Sequence, residues 1–220
     1  MSNYYHGAKA SKQATSVSTP VVADSSIHLI VGTAPVHTVG GKVNEPVYAS
    51  NYAEAVAAMG YSDEWDKYDI CEEIYSSFKL YSNGPIIMVN VLDPAKHLKG
   101  AETVEKTLAG GITELPYEAV SDTVEVKGYD GEDSLTETYT RGEDYDLFYT
   151  DGVLRLERIE SGKIKADNAR LNIKFNSVDP SKVTKKEIIG GYDTNTNKSS
   201  GFELVDSVYP KYGVIPTLFL

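Results

Sequence analysis

The chain has 220 residues, of which 41% are apolar, and this is enough to bury a core of one or two domains. Its 32 acidic and 21 basic residues give a net charge of -11, which argues against a surface built to bind phosphates or anionic lipids. Nucleic acid and membranes are therefore poor candidate partners. No apolar run approaches the length of about 20 residues that a bilayer requires, and no signal-peptide core precedes residue 20. We expect a protein that stays soluble in a cytoplasm.

The N-terminal part has an arm followed by an α/β pattern. Residues 1–20 are rich in Ser and Thr without an amphipathic period, which predicts an extended or disordered arm. The β-branched run 27–31 predicts a strand that is buried on both faces. Asn51 and Glu54 resemble a helix-capping pair and predict a short helix that ends at Gly60.

A second helix and a second strand complete this first α/β unit. Ile70, Ile74 and Phe78 recur every four residues, which predicts a helix that ends before Asn83-Gly84-Pro85. The apolar run 86–92 then predicts another buried strand. The single cysteine, Cys71, lies in this helical pattern and excludes an internal disulfide, so we interpret it as a small buried apolar residue.

Beyond residue 100 the pattern changes to alternation and turns, which is typical of antiparallel strands. Tyr145, Leu147 and Tyr149 alternate up to Asp151-Gly152, a strong hairpin signal. The stretch 169–175 alternates apolar and polar residues as a half-buried strand does. We therefore predict a small antiparallel β domain over residues 110–178.

A helical pattern returns after Asp179-Pro180. Thr184 and Glu187 form a predicted capping box, and the face formed by Phe202, Val205, Val208 and Tyr209 predicts a helix that ends near Pro210. The apolar stretch 214–220 predicts a last strand whose exposed end is unfavourable unless further elements cover it. We infer a truncated domain.

The predicted fold class is α/β: a truncated α/β core domain with an inserted antiparallel β domain and an extended N-terminal arm. The predicted boundaries are residues 1–20 for the arm, 21–109 for the first part of the core, 110–178 for the inserted β domain and 179–220 for the continuation of the core.

An ordered set of short motifs across nearly the whole chain resembles the sheath subunits of contractile tails, specifically those of phages, defective prophages and tailocins of Gram-positive bacteria. Each motif alone is weak, and the order is what is specific. The motifs are Tyr4-Tyr5-His6-Gly7, Thr19-Pro20-Val21-Val22-Ala23-Asp24-Ser25, Ile30-Val31-Gly32-Thr33-Ala34-Pro35, Tyr52-Ala53-Glu54-Ala55-Val56, Gly60-Tyr61-Ser62-Asp63, Val89-Asn90-Val91-Leu92-Asp93-Pro94, Tyr145-Asp146-Leu147-Phe148-Tyr149, Val178-Asp179-Pro180-Ser181-Lys182-Val183-Thr184, Ile188-Ile189-Gly190-Gly191 and Glu203-Leu204-Val205-Asp206.

This resemblance implies a structural subunit of the virion tail, assembled in a bacterial cytoplasm. Such subunits polymerise helically around an inner tube through exchanged terminal strands and contract to drive the tube through a cell envelope. Family members extend beyond this sequence, so we expect the 220-residue chain to be monomeric or weakly associated. The tentative inter-subunit segment of the arm is His6, Gly7, Ala8, Lys9, Ala10 and Ser11.

Motifs for chemistry are incomplete, so we expect no catalysis, cofactor or metal. Gly40-Gly41-Lys42 lacks the first glycine and the Ser or Thr of a phosphate loop. Asp193, Asn195 and Asn197 have the spacing that opens a calcium loop, but Lys198 replaces the turn glycine and Leu204 replaces the bidentate glutamate. The histidines, namely His6, His28, His37 and His97, lack metal-ligand spacing.

Charge is unevenly spread along the predicted insertion. One interpretation is that these charged residues simply lie on solvent-exposed faces. The alternative is that faces of opposite charge set the register between neighbouring subunits. The acidic first half contains Glu132, Asp133, Glu137, Glu143, Asp144 and Asp146, and the basic second half contains Arg155, Arg158, Lys163, Lys165, Arg170 and Lys174.

Two other functions remain open. A surface-exposed tail or baseplate protein with a ligand-binding β domain would bind saccharides, and an enzyme would show turnover or a ligand-dependent rise in melting temperature.

Overall fold

The computed structural model describes residues 26–129 and 135–220. The arm, including the segment His6 to Ser11, lies outside the described residues. The strands are β1 (His28–Gly32), β2 (Val47–Ala49), β3 (Ile86–Asn90), β4 (Glu102–Thr107), β5 (Ile112–Pro116), β6 (Glu125–Tyr129), β7 (Leu135–Tyr139), β8 (Tyr145–Thr150), β9 (Val153–Arg158), β10 (Arg170–Phe175), β11 (Gly191–Asp193), β12 (Lys198–Ser200) and β13 (Leu218–Phe219). The α-helices are α1 (Tyr52–Met59), α2 (Asp69–Tyr75), α3 (Lys185–Ile189) and α4 (Val208–Tyr212).

The first sheet is mixed and has the strand order β13-β1-β3-β2. β1 pairs in parallel with both β3 and β13, and β2 closes the other side antiparallel to β3. Every residue of β3 is buried, as expected for an apolar strand covered on both faces. The two buried strands predicted from the sequence are confirmed.

Helices cover both faces of this sheet. α1 and α2 pack on one face around Ile30, Met59 and Met88, while the segment 201–212 packs on the other around Leu29 and Ile87. α1 begins at the predicted cap, where the Asn51 side chain accepts from the Glu54 N–H at 3.0 Å. It ends at Gly60, which has a φ of 74°. The predicted positions of both N-terminal helices are confirmed, although the second continues into a π-turn at Ser76–Leu80.

The prediction of a single helix over residues 202–209 is wrong in the type of helix and in the position of its end. Gly201–Ser207 is a 3-10 helix, and α4 follows it and continues past Pro210 to Tyr212. A proline is accommodated here because it lies in the first turn of α4, where the backbone N–H has no partner within the helix. Tyr209, predicted on the buried face, is 61% exposed.

The middle of the chain forms two antiparallel sheets, with strand orders β4-β10-β6-β7 and β5-β9-β8. Their inward side chains form one core that includes Leu154, Leu156, Ile173 and Phe175. The β8–β9 hairpin turns at Asp151 and Gly152, which have φ values of 48° and 75°. Two positive φ values fit a primed two-residue turn, so the predicted hairpin is confirmed.

The first strand of these sheets begins earlier than the sequence suggested. β4 begins at Glu102, ahead of residue 110, and pairs along its whole length with β10. Its sequence, Glu-Thr-Val-Glu-Lys-Thr, has one apolar residue, so alternation could not reveal it. The strand is exposed apart from Val104 and Lys106, which are half-buried.

The chain leaves and re-enters the first sheet through two connections that run side by side. Leu98 forms an antiparallel bridge with Val178, and the N–H of Asp179 donates to the His97 carbonyl at 2.7 Å. α3 follows with the predicted capping box, in which Thr184 and Glu187 bond reciprocally. The predicted last strand is shorter than expected: of residues 214–220 only Leu218–Phe219 pair as a strand, since Pro216 has no N–H to donate.

Within the described ranges, no helix has the length and hydropathy needed to cross a bilayer.

Candidate interaction surfaces and buried joints

The C-terminal stretch that contains the edge strand β13 exposes apolar side chains. Ile215, Phe219 and Leu220 are 66%, 51% and 47% exposed. On its inner side β13 is held by β1, where the Leu220 N–H donates to the Leu29 carbonyl at 2.9 Å. β13 is the last strand in the order of the described sheet, so its outer backbone groups face away from that sheet. An edge of this kind is a template for pairing with a further strand.

Three rings join the first sheet to the middle β sheets. We call His37, Tyr117 and Tyr149 the aromatic joint. The His37 ring lies 5.9 Å from the Tyr117 ring and 5.7 Å from the Tyr149 ring, both edge to face. Burial raises the pKa of both tyrosines and lowers the pKa of His37. The joint therefore holds neutral side chains.

Hydrogen bonds fix each ring of the aromatic joint. His37 Nε2 lies 2.9 Å from the Tyr117 carbonyl oxygen. The Tyr117 hydroxyl donates to the Tyr61 carbonyl at 2.9 Å, and the Tyr149 hydroxyl donates to the Ala119 carbonyl at 2.6 Å. The Ser121 N–H in turn donates to the Tyr149 hydroxyl at 3.2 Å. These bonds tie the segment after β1 to the turn after β5 and to strand β8.

An ion pair lies beside the aromatic joint. Lys67 Nζ is 2.7 Å from Glu118 and 2.8 Å from Glu64. The hydrogen bond to Glu118 is the main cause of the raised pKa of Lys67. Burial raises the pKa of Glu118, but the bonds from Lys67 and from a backbone N–H outweigh it, so this pKa is lowered. Glu118 therefore remains ionised at neutral pH.

The carboxyl ends of β1 and β3 are held together by the buried Asn90, and Asp69 binds the residue after β1. Asn90 Oδ1 accepts from the Ala34 N–H at 3.0 Å and the Leu92 N–H at 3.1 Å, and Asn90 Nδ2 donates to the Leu92 carbonyl at 2.8 Å. Asp69, the first residue of α2, accepts from the Thr33 N–H at 2.5 Å and the Thr33 hydroxyl at 3.0 Å. A Cβ at Gly32 would clash with this carboxylate, so the close approach requires glycine.

His97 links the two connections that run between the first sheet and the middle sheets. The Asp93 N–H donates to His97 Nδ1 at 2.9 Å, so Nε2 carries the proton and donates to Glu187 at 2.9 Å. Bonds from the Thr184 backbone are the main cause of the lowered pKa of Glu187. The pair links the segment after β3 to α3.

Polar side chains in the incomplete phosphate-loop and calcium motifs bond to other groups of the same chain. Lys42 Nζ is 2.7 Å from the Glu45 carboxylate. Asp193 accepts from the Asn195 N–H and the Thr196 hydroxyl, both at 2.9 Å, which makes an Asx turn at the tip of the β11–β12 hairpin. The bond from Asn195 is the main cause of the lowered pKa of Asp193.

The remaining histidine and the cysteine have structural surroundings. His28 Nδ1 lies 2.7 Å from Glu73, and Cys71 is fully buried with a pKa that burial raises to about 12. A thiol with so high a pKa is a poor nucleophile at neutral pH. No cluster of three or more potential metal-ligating side chains is found among residues 26–129 and 135–220.

The charge separation seen along the sequence does not produce separate faces among the described side chains. Asp144 is buried and accepts from the backbone of Thr140 and Lys163 at 2.8 Å, so it closes a loop. The basic residues mostly meet acidic partners from the same middle part of the chain, as in Arg155–Glu114, Arg158–Asp167, Lys163–Glu137, Arg170–Glu105 and Lys174–Glu125. Glu132 and Asp133 lie outside the described residues. The opposite-sign faces expected as an alternative are therefore not favoured by these contacts.

Sequence reasoning missed the residues that build the joints. Tyr149 lies in an alternating run and Tyr117 in a short turn, and neither pattern indicates a contact with His37, which follows β1. Asn90 did carry a signal, because it is the one polar residue in the apolar run 86–92. A buried amide in such a run requires partners.

Comparison with known proteins finds a similarity to a tail sheath protein. No family model matches the chain. The sequence is 28% identical over 220 residues to the tail sheath protein of Burkholderia phage BcepMu, covering 99% of this chain and 43% of that protein. The chain thus spans less than half the length of this relative. The resemblance to tail sheath proteins that the motifs indicated is confirmed.

Proposed function

We propose that this chain, a relative of tail sheath proteins along nearly its whole length, forms part of a sheath subunit in a phage tail. The observation that carries the proposal is the match to the BcepMu sheath protein over 99% of the chain. On this proposal the protein has a structural role in the virion tail, without catalysis. It acts by self-assembly around an inner tail tube, and contraction of the helical polymer drives that tube through a cell envelope.

The architecture proposed for this role is an α/β core that carries an inserted β domain. The core of the middle sheets draws its buried and packed side chains from residues 104–175 alone. The core on one face of the first sheet instead combines residues from before and after that stretch, such as Val31, Ile87, Leu204 and Val208. Including β4, the insertion is best bounded at about residues 99–178.

We expect the proposed insertion to fold by itself, because its core needs no side chain from elsewhere. Residues 99–178 expressed alone should give a dispersed amide NMR spectrum. The matched control is residues 110–178, which lack β4 and leave one edge of β10 unpaired. This shorter segment should be less stable. Collapsed spectra from both segments would contradict an autonomous domain.

The proposed inter-subunit contacts use the arm and the edge strand. Ordering an arm costs about 1–2 kcal/mol per residue in backbone entropy, which pairing with another subunit's sheet edge can offset. We propose that Gly7 to Ser11 adds to such an edge and that β13 marks the side of the first sheet that a longer subunit extends. Neither nucleic acid nor membrane is a proposed partner, and the 220-residue chain alone is proposed to be monomeric or weakly associated.

Light scattering tests this proposal. The 220-residue chain should scatter as a monomer or a weakly associating species. A chimera in which it replaces the matched part of the BcepMu sheath protein should form high-mass polymers. A monodisperse chimera that is folded by circular dichroism would count against the sheath role. Large regular polymers of the 220-residue chain would show that polymerisation does not need the rest of a sheath-length subunit.

A further inference from the structure

The aromatic joint contains a buried nitrogen that makes it sensitive to protonation. His37 Nε2 faces the Tyr117 carbonyl oxygen, which can only accept, so Nε2 carries the proton of the neutral ring. His37 Nδ1 is buried and has no hydrogen-bond partner in the described part of the chain. A proton added to Nδ1 would therefore create a buried donor and a buried charge without an acceptor.

We propose that the aromatic joint is an acid-sensitive clasp, which fixes the middle β sheets against the first sheet while His37 is neutral and releases them when Nδ1 is protonated. The inference does not depend on the sheath proposal. It follows from the ring contacts, the direction of the Nε2 bond and the unpartnered Nδ1.

The groups that face His37 from the elements packed against it include two tyrosines and an ion-paired glutamate. Tyr117 and Tyr149 have raised pKa values and stay neutral. Glu118 on the turn after β5 attracts a protonated His37, but its carboxylate is already bonded to Lys67. Tyr61 and Asp151 line the small groove beside the joint, and Asp151 is at an exposed hairpin tip.

The direction of the effect follows from proton linkage. Burial outweighs both the bond to the Tyr117 carbonyl and the charge of Glu118 and lowers the pKa of His37 in the closed joint, so the open joint binds a proton more readily than the closed one. The closed state is fully favoured above the ordinary histidine pKa of about 6.5 and loses stability as pH falls through that value.

His28 and His97 provide internal contrasts. Both ring nitrogens of each have a hydrogen-bond partner: Glu73 and Asn83 for His28, and the Asp93 N–H and Glu187 for His97. Among the three histidines of the described ranges, His37 is the one with an unpartnered ring nitrogen.

Amide exchange tests the clasp, because the Ser121 N–H bonds to the Tyr149 hydroxyl and reports on the closed joint. In the 220-residue chain, the protection factor of Ser121, corrected for intrinsic exchange, should fall by up to about tenfold between pH 7.5 and 5.5. His37→Gln keeps a side-chain donor but cannot become charged, so this acid-dependent fall should vanish. His28→Gln is the matched control and should retain it.

Three results would overturn the clasp. Two concern Ser121 protection: an equal acid-dependent loss in H37Q and the wild type, or no loss in the wild type. The other needs no variant: NMR titration of the His37 imidazole in the wild-type chain should give a pKa below the ordinary value of about 6.5. A pKa at or above that value would refute the proposal even if H37Q fails to fold.

Discussion

Replacing Asn90 by alanine should lower the free energy of unfolding by about 2–5 kcal/mol. Asn90 is fully buried and satisfies two N–H groups and one carbonyl at the carboxyl ends of β1 and β3. Alanine would leave these groups without their amide partner, and each buried unsatisfied group costs about 1–3 kcal/mol. Urea unfolding followed by the fluorescence of Trp65, the single tryptophan, reports on the α/β part, where Trp65 packs near Tyr68 and Leu92.

A matched asparagine on the middle sheets controls for this prediction. Asn172 on β10 is half-buried, and its side chain donates to the Tyr129 hydroxyl at 3.2 Å. Asn172→Ala should change the free energy of unfolding by less than about 1 kcal/mol. Equal losses for the two variants would mean that the buried position of Asn90 is not what makes it important. A loss under about 0.5 kcal/mol for Asn90→Ala would contradict the structural role outright.

The elements that could be predicted are those whose signal is local. β1 and β3 are apolar runs, α1 and α3 begin at side-chain caps, and the Asp151-Gly152 turn has the residues that positive φ values favour. In each case the residues that reveal the element also form it. The same holds for Asp193, whose short-range bonds explain a calcium-like spacing without an ion.

The features that could not be predicted depend on distant partners. β4 is a strand because β10 pairs with it along six residues, and its own sequence has almost no apolar alternation. The segment 201–207 has a helical apolar pattern but winds as a 3-10 helix before α4. The contact of His37 with Tyr149 joins residues that are remote in sequence, so only the tertiary fold brings them together.

Deleting residues 1–19 from a sheath-length form of the protein should abolish polymerisation while leaving the monomer folded. The first residue of β1 is His28, so the deletion removes no described strand or helix. Under the strand-exchange proposal, each subunit would lose the segment that pairs with a neighbour's sheet edge. The sheath-length form is the chimera with the BcepMu sheath protein, and circular dichroism with thermal melting controls for folding of the truncated subunit.

Negative-stain electron microscopy of three forms tests the sheath role most directly: the 220-residue chain, the sheath-length chimera and the chimera without residues 1–19. We expect regular tubes from the chimera alone and separate particles from the other two forms. Tubes formed by the chimera without residues 1–19 would contradict the role of the arm. A folded, full-length chimera that forms no tubes, even with the inner tube protein added, would contradict the assignment of this chain to a tail sheath.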